Sequence, residues 1–116
     1  KMKNAFENIF KEGFKKAVLI GTDTPEISGE IIENAFYELS GNDFTIGPSF
    51  DGGYYLLGMK MMNDELFEDM LWSTGEVFEK TTLKIKKLNK KIYILKKLHD
   101  VDNVNDLKYL DLIMHD

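Results

Sequence analysis

Two acidic segments of the sequence combine residue types that suit a divalent-cation site. The first is Gly-Thr-Asp-Thr-Pro at 21–25, which directly follows a short apolar run. The second is 99–106, in which Asp100 and Asp102 lie on either side of Val101. Alternation along an extended backbone points Asp100 and Asp102 to the same side. Carboxylates that converge from separate loops form the oxygen site that Mg²⁺ or Mn²⁺ prefers, above all when a diphosphate completes the coordination. The two segments together are therefore a candidate metal site.

Each acidic segment also has a purely structural interpretation. Asp23 is a poor core residue because an unpaired buried carboxylate is costly, but it could serve only to bond the N–H groups of its own turn. In the second segment, Asp102 or Asn103 could cap the following helix, with Asp106 favouring its first turn. Spacing alone does not decide between these interpretations and the metal site.

A third segment, Asp51-Gly52-Gly53, offers bare backbone to a ligand. Two glycines let a ligand approach main-chain N–H groups closely, although Asp-Gly is also a leading pair in tight hairpin turns. Trp72 precedes Ser73 and Thr74, and it is either a core anchor beside a helix cap or a ring that stacks on a base or sugar. His99 is expected to be an ordinary surface residue, and we assign no residue as a general base.

These segments lie between helices and strands that alternate along the chain. The spacing of apolar residues predicts each element, with Ser28 as the cap of the second helix and Ser73 or Thr74 as the cap of the fourth. The predicted helices are 2–10, 29–39, 64–70, 75–88 and 104–114, and the predicted strands are 17–20, 44–47, 54–59 and 91–95. Such alternation predicts an α/β layered fold, in which ligands collect at the carboxyl ends of the strands.

The strand 17–20 is apolar without alternation, which is typical of a strand in a parallel sheet that helices cover on both faces. The length of 116 residues supports a single domain, 1–116.

The composition excludes several classes of protein. The net charge is −5, all 15 basic residues are lysine, and cysteine is absent. The excess of acidic residues argues against nucleic-acid binding. No apolar run approaches the roughly 20 residues of a membrane-spanning helix. The absence of cysteine fits a reducing, cytoplasmic setting. Without arginine, an anion must be held by lysine, backbone N–H groups or a metal. The eight lysines of 80–97, a stretch with no acid, are either half-exposed faces or a surface that steers phosphates.

Several strings of residues, in their order and spacing, resemble one family. They are 21–25, Gly-Pro at 47–48, Asp-Gly-Gly-Tyr-Tyr-Leu-Leu-Gly at 51–58, Trp-Ser-Thr at 72–74, Asp-Val-Asp at 100–102 and Asp-Leu at 106–107. From about residue 2 to 110 the chain resembles the bacterial glycosyltransferase-like proteins labelled a domain of unknown function, within the GT-A superfamily of nucleotide-diphospho-sugar transferases. The resemblance implies a three-layer α/β/α, Rossmann-like GT-A fold with a mixed, mostly parallel sheet.

The resemblance also implies roles for individual residues. Asp23 and Asp102 match the acids that hold Mg²⁺ or Mn²⁺ in related proteins. The substrate-binding residues that it implies are Thr22, Asp51, Gly52, Gly53, Tyr54, Trp72, Ser73 and Thr74. The segment 103–105 reads Asn-Val-Asn where relatives often carry Thr-Pro-Glu, a departure that weakens the helix start and leaves Asp102 intact.

These relatives are longer, and their first strand and a loop that contains glycine and lysine or arginine bind the nucleotide. Compared with them, the chain is expected to be a C-terminal portion with an incomplete sheet. The strand 17–20 would then have an unpaired edge, which invites association. We therefore expect either a homodimer through this exposed sheet edge or an unstable isolated chain.

Three functions follow from these observations. The leading hypothesis is a metal-dependent transferase that acts on a nucleotide-activated substrate, in particular a nucleotide-diphospho-sugar. A second hypothesis is nucleotidyl transfer onto a phosphorylated small molecule, which uses the same metal chemistry. The third, from a different class, is a non-catalytic, truncated α/β module that assembles or binds a partner.

Overall fold

The computed structural model of the chain describes residues 2–21, 24–70 and 75–99, together with the backbone of 110–115. The helices are α1 (Met2–Lys11), α2 (Gly29–Glu38), a short 3₁₀ helix (Asp64–Phe67) and α3 (Val77–Lys87). The strands are β1 (Lys16–Gly21), β2 (Phe44–Pro48), β3 (Tyr54–Met59), β4 (Ile92–Ile94) and β5 (Leu110–His115). Up to residue 99, each predicted helix and strand is confirmed, with ends that differ by a few residues. Among the described residues, no helix is long and apolar enough to cross a membrane.

The five strands form one mixed sheet in the order β4-β2-β3-β1-β5. β2 and β4 are parallel, whereas the β2–β3, β1–β3 and β1–β5 pairs are antiparallel. The sheet is mixed, as expected, but the expectation that it is mostly parallel is wrong. One physical reason is loop length: only residues 49–53 join β2 to β3, and a parallel pair needs a crossover of about a dozen residues or more.

Helices cover both faces of the sheet, which confirms the three-layer α/β/α arrangement. On one face, Ala17 and Leu19 of β1 pack in a cluster with residues of α1, the 3₁₀ helix and α3. On the other face, Val18 packs in a second cluster with residues of α2. These three strand residues are at most 4% exposed. Coverage of both faces explains the apolar run without alternation in β1, even though the neighbouring strands are antiparallel.

Residues 110–115 form β5, so the predicted helix 104–114 is wrong over its last part, while 104–109 lie outside the described residues. β5 pairs with β1 from Lys16↔His115 to Gly21↔Leu110. The helix prediction used only local apolar spacing, whereas the edge of β1 offers N–H and C=O groups that a strand can pair. β1 therefore has a neighbour on each side, and the expected unpaired edge at 17–20 is also wrong. The homodimer stays a prediction, without that edge to support it.

The two longer helices after β1 begin in different ways. Ser28 caps α2, as predicted, because its Oγ accepts a hydrogen bond from the Ile31 N–H at 3.3 Å. At the start of α3 the cap position is taken by Glu76, whose side chain makes no capping hydrogen bond. The expected caps of this helix, Ser73 and Thr74, lie outside the described residues.

Candidate functional site

The carboxyl ends of three strands lie at the same end of the sheet. β1 and β2 are each antiparallel to β3, and β4 is parallel to β2, so β1, β2 and β4 run in one direction. We name the residues that follow these strands, 24–27, 49–53 and 95–99, the strand-end surface. This is the edge at which α/β folds bind ligands.

Hydrogen bonds join the three segments of the strand-end surface. The Leu98 N–H donates to the Pro48 carbonyl at 3.0 Å, and the Phe50 N–H donates to the Leu98 carbonyl at 3.1 Å. The His99 N–H donates to Glu26 Oε1 at 3.0 Å. The segment that follows β4 is thus tied on one side to the end of β2 and on the other side to the segment that follows β1.

Asp51 organises the turn between β2 and β3. Its Oδ1 accepts hydrogen bonds from Ser49 Oγ at 2.7 Å and from the Gly53 N–H at 3.0 Å. The main chain closes the same turn, because the Ser49 N–H donates to the Gly53 carbonyl at 3.0 Å and the Gly52 N–H donates to the Ser49 carbonyl at 3.2 Å. The segment therefore forms a hairpin turn that is held by its own polar groups, while the substrate-binding role expected for Asp51, Gly52 and Gly53 stays a prediction.

Gly52 is required by a close approach of two stretches of backbone. Its φ is +95°, and a Cβ at this position would lie 2.0 Å from the Gly75 carbonyl oxygen. The Gly52 carbonyl accepts a hydrogen bond from the Phe78 N–H at 2.9 Å, which satisfies one of the N–H groups that a helix start leaves unpaired. The turn therefore caps α3 with its backbone. The space beside Gly53 is less crowded, since a Cβ there would be 3.5 Å from the nearest atom, Asp51 Oδ1.

The Tyr54 hydroxyl lies in the interior. It is shielded from solvent and, like the Thr81 hydroxyl, has no hydrogen bond of standard geometry among the described residues. Burial raises the pKa of Tyr54 well above its ordinary value, and Thr81 opposes this shift with a smaller effect. The substrate-binding role expected for Tyr54 stays a prediction.

Tyr55, on the opposite face of β3, packs against the neighbouring strand β2. Its ring lies over Gly47, where a Cβ would be 2.3 Å from the ring Cζ. Its hydroxyl donates to the Lys96 carbonyl at 2.8 Å. Burial raises the pKa of Tyr55 to about 12. Tyr55 thus ties the end of β4 to the centre of the sheet.

A group of side chains projects from the strand-end surface into solvent. The ring centroids of Phe50 and His99 are 4.1 Å apart with the planes tilted by 39°. Lys97 Nζ lies 5.0 Å from the Phe50 ring centroid, within the range of a cation–π interaction. Phe50 nevertheless remains 58% exposed. Here an aromatic surface, a cation and an imidazole meet at the edge that α/β folds use for ligands.

Most of the residues predicted from the sequence to bind metal or substrate are not described by the structure. Asp23 and Asp102, as well as Thr22, Trp72, Ser73 and Thr74, lie outside the described residues. Within the described part of the chain, no group of three or more histidine, aspartate or glutamate residues that could hold a metal ion is present. The metal site, and the substrate contacts of these residues, stay predictions.

Glu26 and Phe50 were not among the residues predicted from the sequence, and His99 had no predicted role. Each of them is close in sequence to a segment that was already a candidate: Glu26 follows 21–25, Phe50 precedes Asp51, and His99 precedes Asp100. This closeness in sequence to the candidate segments was the signal that could have identified the three residues. It was not sufficient, because local spacing does not tell an exposed phenylalanine from a buried one, and it does not show which carboxylate meets which N–H group.

Comparisons with known proteins agree with this architecture. Residues 1–74 match the family model described as "Uncharacterized protein conserved in bacteria (DUF2064)". A crystal structure described as that of a "putative nucleotide-diphospho-sugar transferase" from Desulfovibrio desulfuricans G20 is 34% identical to the chain, with a TM-score of 0.84. That match covers 91% of this chain and 47% of the other, so this chain spans about half the length of that protein. No curated protein matches the chain.

Proposed function

This chain belongs to the bacterial DUF2064 family, and on that premise we propose that it is a metal-dependent transferase that acts on a nucleotide-diphospho-sugar. The shared fold with the Desulfovibrio protein over 91% of this chain supports the proposal. So does the position of the strand-end surface, which is where ligands bind in α/β folds.

The observation that carries the proposal is the hydrogen bond from the His99 N–H to Glu26. Asp23 precedes Glu26 by three residues, and Asp102 follows His99 by three. Because an extended chain spans at most about 3.6 Å per residue, only a short stretch of chain separates each aspartate from the point where the two segments meet. Carboxylates that come from two such segments suit Mg²⁺ or Mn²⁺.

In the proposed reaction, an acceptor hydroxyl oxygen forms a bond to the anomeric carbon of the sugar. The bond from that carbon to the diphosphate breaks, the nucleoside diphosphate leaves with the bonding electrons, and the acceptor proton passes to water. A cation held by Asp23 and Asp102 would offset the negative charge on the diphosphate. The 49–53 turn, which is held by hydrogen bonds among Ser49, Asp51 and Gly53, would line the sugar pocket. Further proposed substrate contacts are Thr22, Trp72, Ser73 and Thr74.

Thermal unfolding of the 116-residue chain with and without Mn²⁺ tests the metal site, followed by titration of the Mn²⁺-loaded chain with uridine, guanosine and thymidine diphospho-sugars. A ligand that binds only the folded state raises the melting temperature. We expect Mn²⁺ to raise the melting temperature of the wild type, and a nucleotide-sugar to raise it further. Asp23→Ala and Asp102→Ala should abolish the rise with Mn²⁺.

The matched control is Asp64→Ala, which removes an exposed carboxylate from the 3₁₀ helix and should respond to Mn²⁺ as the wild type does. An equal rise in the wild type, Asp23→Ala and Asp102→Ala would remove both aspartates from the metal site. If no nucleotide-sugar changes the melting temperature, the transferase proposal fails in favour of a non-catalytic module that binds a partner. In a separate assay, release of pyrophosphate from a nucleoside triphosphate and a sugar phosphate would instead indicate nucleotidyl transfer.

A further inference from the structure

Three exposed side chains flank a buried bridge on the strand-end surface. Ser49 and Leu98 form a parallel bridge between the segments that follow β2 and β4, and both side chains are buried, with exposures of 2% and 1%. Their sequence neighbours are Phe50, Lys97 and His99. All three are exposed. The backbone therefore presents these three side chains as one group.

The Phe50 ring is held in place while much of its surface stays open. It stacks at a tilt on His99, with 4.1 Å between centroids, and Lys97 Nζ lies 5.0 Å from its centroid. The ring is still 58% exposed. An aromatic ring that is oriented before binding loses little conformational freedom when a ligand stacks on it. Among the residues that the structure describes, Tyr37 on α2 is also strongly exposed, at 74%.

The charges around the ring favour a neutral, hydroxyl-rich ligand over an anion. Lys97 supplies an ammonium donor, which lies over the ring at 5.0 Å from its centroid. The exposed Glu26 supplies a carboxylate beside His99, and Asp51 supplies a second carboxylate in the adjacent turn. These carboxylates offset the charges of Lys97 and of the neighbouring exposed Lys96, so the group is not a purely cationic site for a phosphate. A saccharide fits better, because its C–H face can lie on the negative face of the aromatic ring while its hydroxyls donate to carboxylates and accept from the ammonium.

We infer that Phe50, Lys97 and His99 form a stacking subsite for a saccharide ring. On the proposed function, on which the role of the ligand rests, this saccharide is the acceptor of the transferred sugar. Phe50 is the stacking surface, His99 orients it, and Lys97 and Glu26 bond hydroxyl groups of the saccharide. Binding of the saccharide at this subsite does not require a nucleotide or a metal.

Two-dimensional ¹H–¹⁵N NMR of the 116-residue chain, titrated with methyl glucoside, methyl galactoside and maltose at millimolar concentrations, tests the inference. We expect at least one of these saccharides to shift the amide signals of 49–53 and 97–99 without added nucleotide or Mn²⁺. Phe50→Ala should weaken this binding by about tenfold, and Phe50→Trp should restore it. Lys97→Gln should weaken it by a smaller factor.

Matched controls come from the same chain. Tyr37→Ala removes an exposed aromatic ring from another element, and Lys86→Gln removes an exposed ammonium from the end of α3. Both should leave saccharide binding unchanged. Because Phe50 is exposed, Phe50→Ala should keep the wild-type pattern of signals elsewhere, which shows that the variant is folded.

Three outcomes would overturn the inference: no shift at 49–53 and 97–99 with any of these saccharides, shifts that persist undiminished in Phe50→Ala, or shifts that uridine causes and the saccharides do not. If shifts appear only with a nucleotide-sugar and Mn²⁺, the acceptor role is also overturned, since the subsite would then belong to the donor. A saccharide that binds here while no nucleotide-sugar changes the melting temperature would leave the subsite standing and remove the proposed transferase.

Discussion

The residues that follow β2 differ in character depending on the side of the backbone from which they are seen. On one side are the polar and glycine residues of the 49–53 turn: Asp51 bonds Ser49 and Gly53, and Gly52 packs against Gly75. On the other side Phe50, together with Lys97 and His99, projects into solvent. The turn has the more recognisable sequence, yet its polar atoms are largely engaged with the chain itself. The outward side has no recognisable motif and keeps its surface open.

The recognisable motif, Asp51-Gly52-Gly53, and the ring that we propose to bind a ligand, Phe50, are therefore neighbours in the sequence but differ in role. The glycines and the aspartate of the turn determine where the backbone goes, and that backbone path presents Phe50 at the edge of the sheet. Substitutions in the turn should therefore act through stability, whereas substitutions on the outward side should act through binding. The predictions below test this division, beginning with the largest effect.

Gly52→Ala should lower the free energy of unfolding by about 3 kcal/mol, because alanine adds strain at a φ of +95° and its Cβ would overlap the Gly75 carbonyl. Gly53→Ala is the matched control. Its Cβ would make contacts of ordinary length, 3.5 and 3.6 Å, so the loss should stay below about 1 kcal/mol. Urea denaturation of the two variants and the wild type measures the effect. Equal losses for both glycines would show that the contact with Gly75 is not what requires Gly52.

Tyr55→Phe should cost about 1 kcal/mol at neutral pH, because the hydrogen bond to the Lys96 carbonyl is lost. Tyr54→Phe should cost less than about 0.5 kcal/mol, since its hydroxyl has no hydrogen bond of standard geometry among the described residues. Urea denaturation at pH 7 compares the two variants. A larger loss for Tyr54→Phe would mean that its buried hydroxyl has a partner that stabilises the fold.

The same tyrosines produce a dependence on alkaline pH. Burial raises the pKa of Tyr55 from 10.0 to about 12, so above pH 10 the unfolded chain loses the phenol proton before the folded chain does. The stabilisation is complete below pH 10 and is lost as the pH rises towards 12. Melting temperatures measured between pH 8 and 11 should fall less steeply for Tyr55→Phe than for the wild type; parallel curves would contradict the raised pKa.

Phe50→Ala should change the free energy of unfolding by less than about 0.5 kcal/mol, because the ring is largely exposed and lies outside both core clusters. Urea denaturation beside the saccharide titration gives both quantities for one variant. Loss of saccharide binding with unchanged stability would support the division between the two sides. A loss of stability as large as that of Gly52→Ala would show that Phe50 belongs to the structural framework instead.

Much of the fold could be predicted from the sequence because short local patterns of residues determine its helices, helix caps and turns. The helical spacing of Met2, Phe6 and Ile9 is the spacing of the buried face of α1, and Ser28 is the cap of α2 as its residue type indicates. The prediction of a turn at 51–53 is also confirmed. The candidate site was predicted less completely. The contact of Glu26 with His99 joins residues 73 positions apart, and no local pattern indicates it.

By itself, the sequence determined which segments up to residue 99 are helices and which are strands. It also determined the burial of 17–20 on both faces of the sheet and the turn at Asp51. Each of these depends on neighbours within a few positions. Tertiary structure alone decided that 110–115 is a strand beside β1, that Gly52 meets Gly75, and that the Tyr54 hydroxyl is buried while Phe50 is exposed. The physical reason is that sheet edges, backbone contacts and burial are properties of surfaces brought together from distant parts of the chain. A short stretch of sequence therefore does not contain the information that decides them.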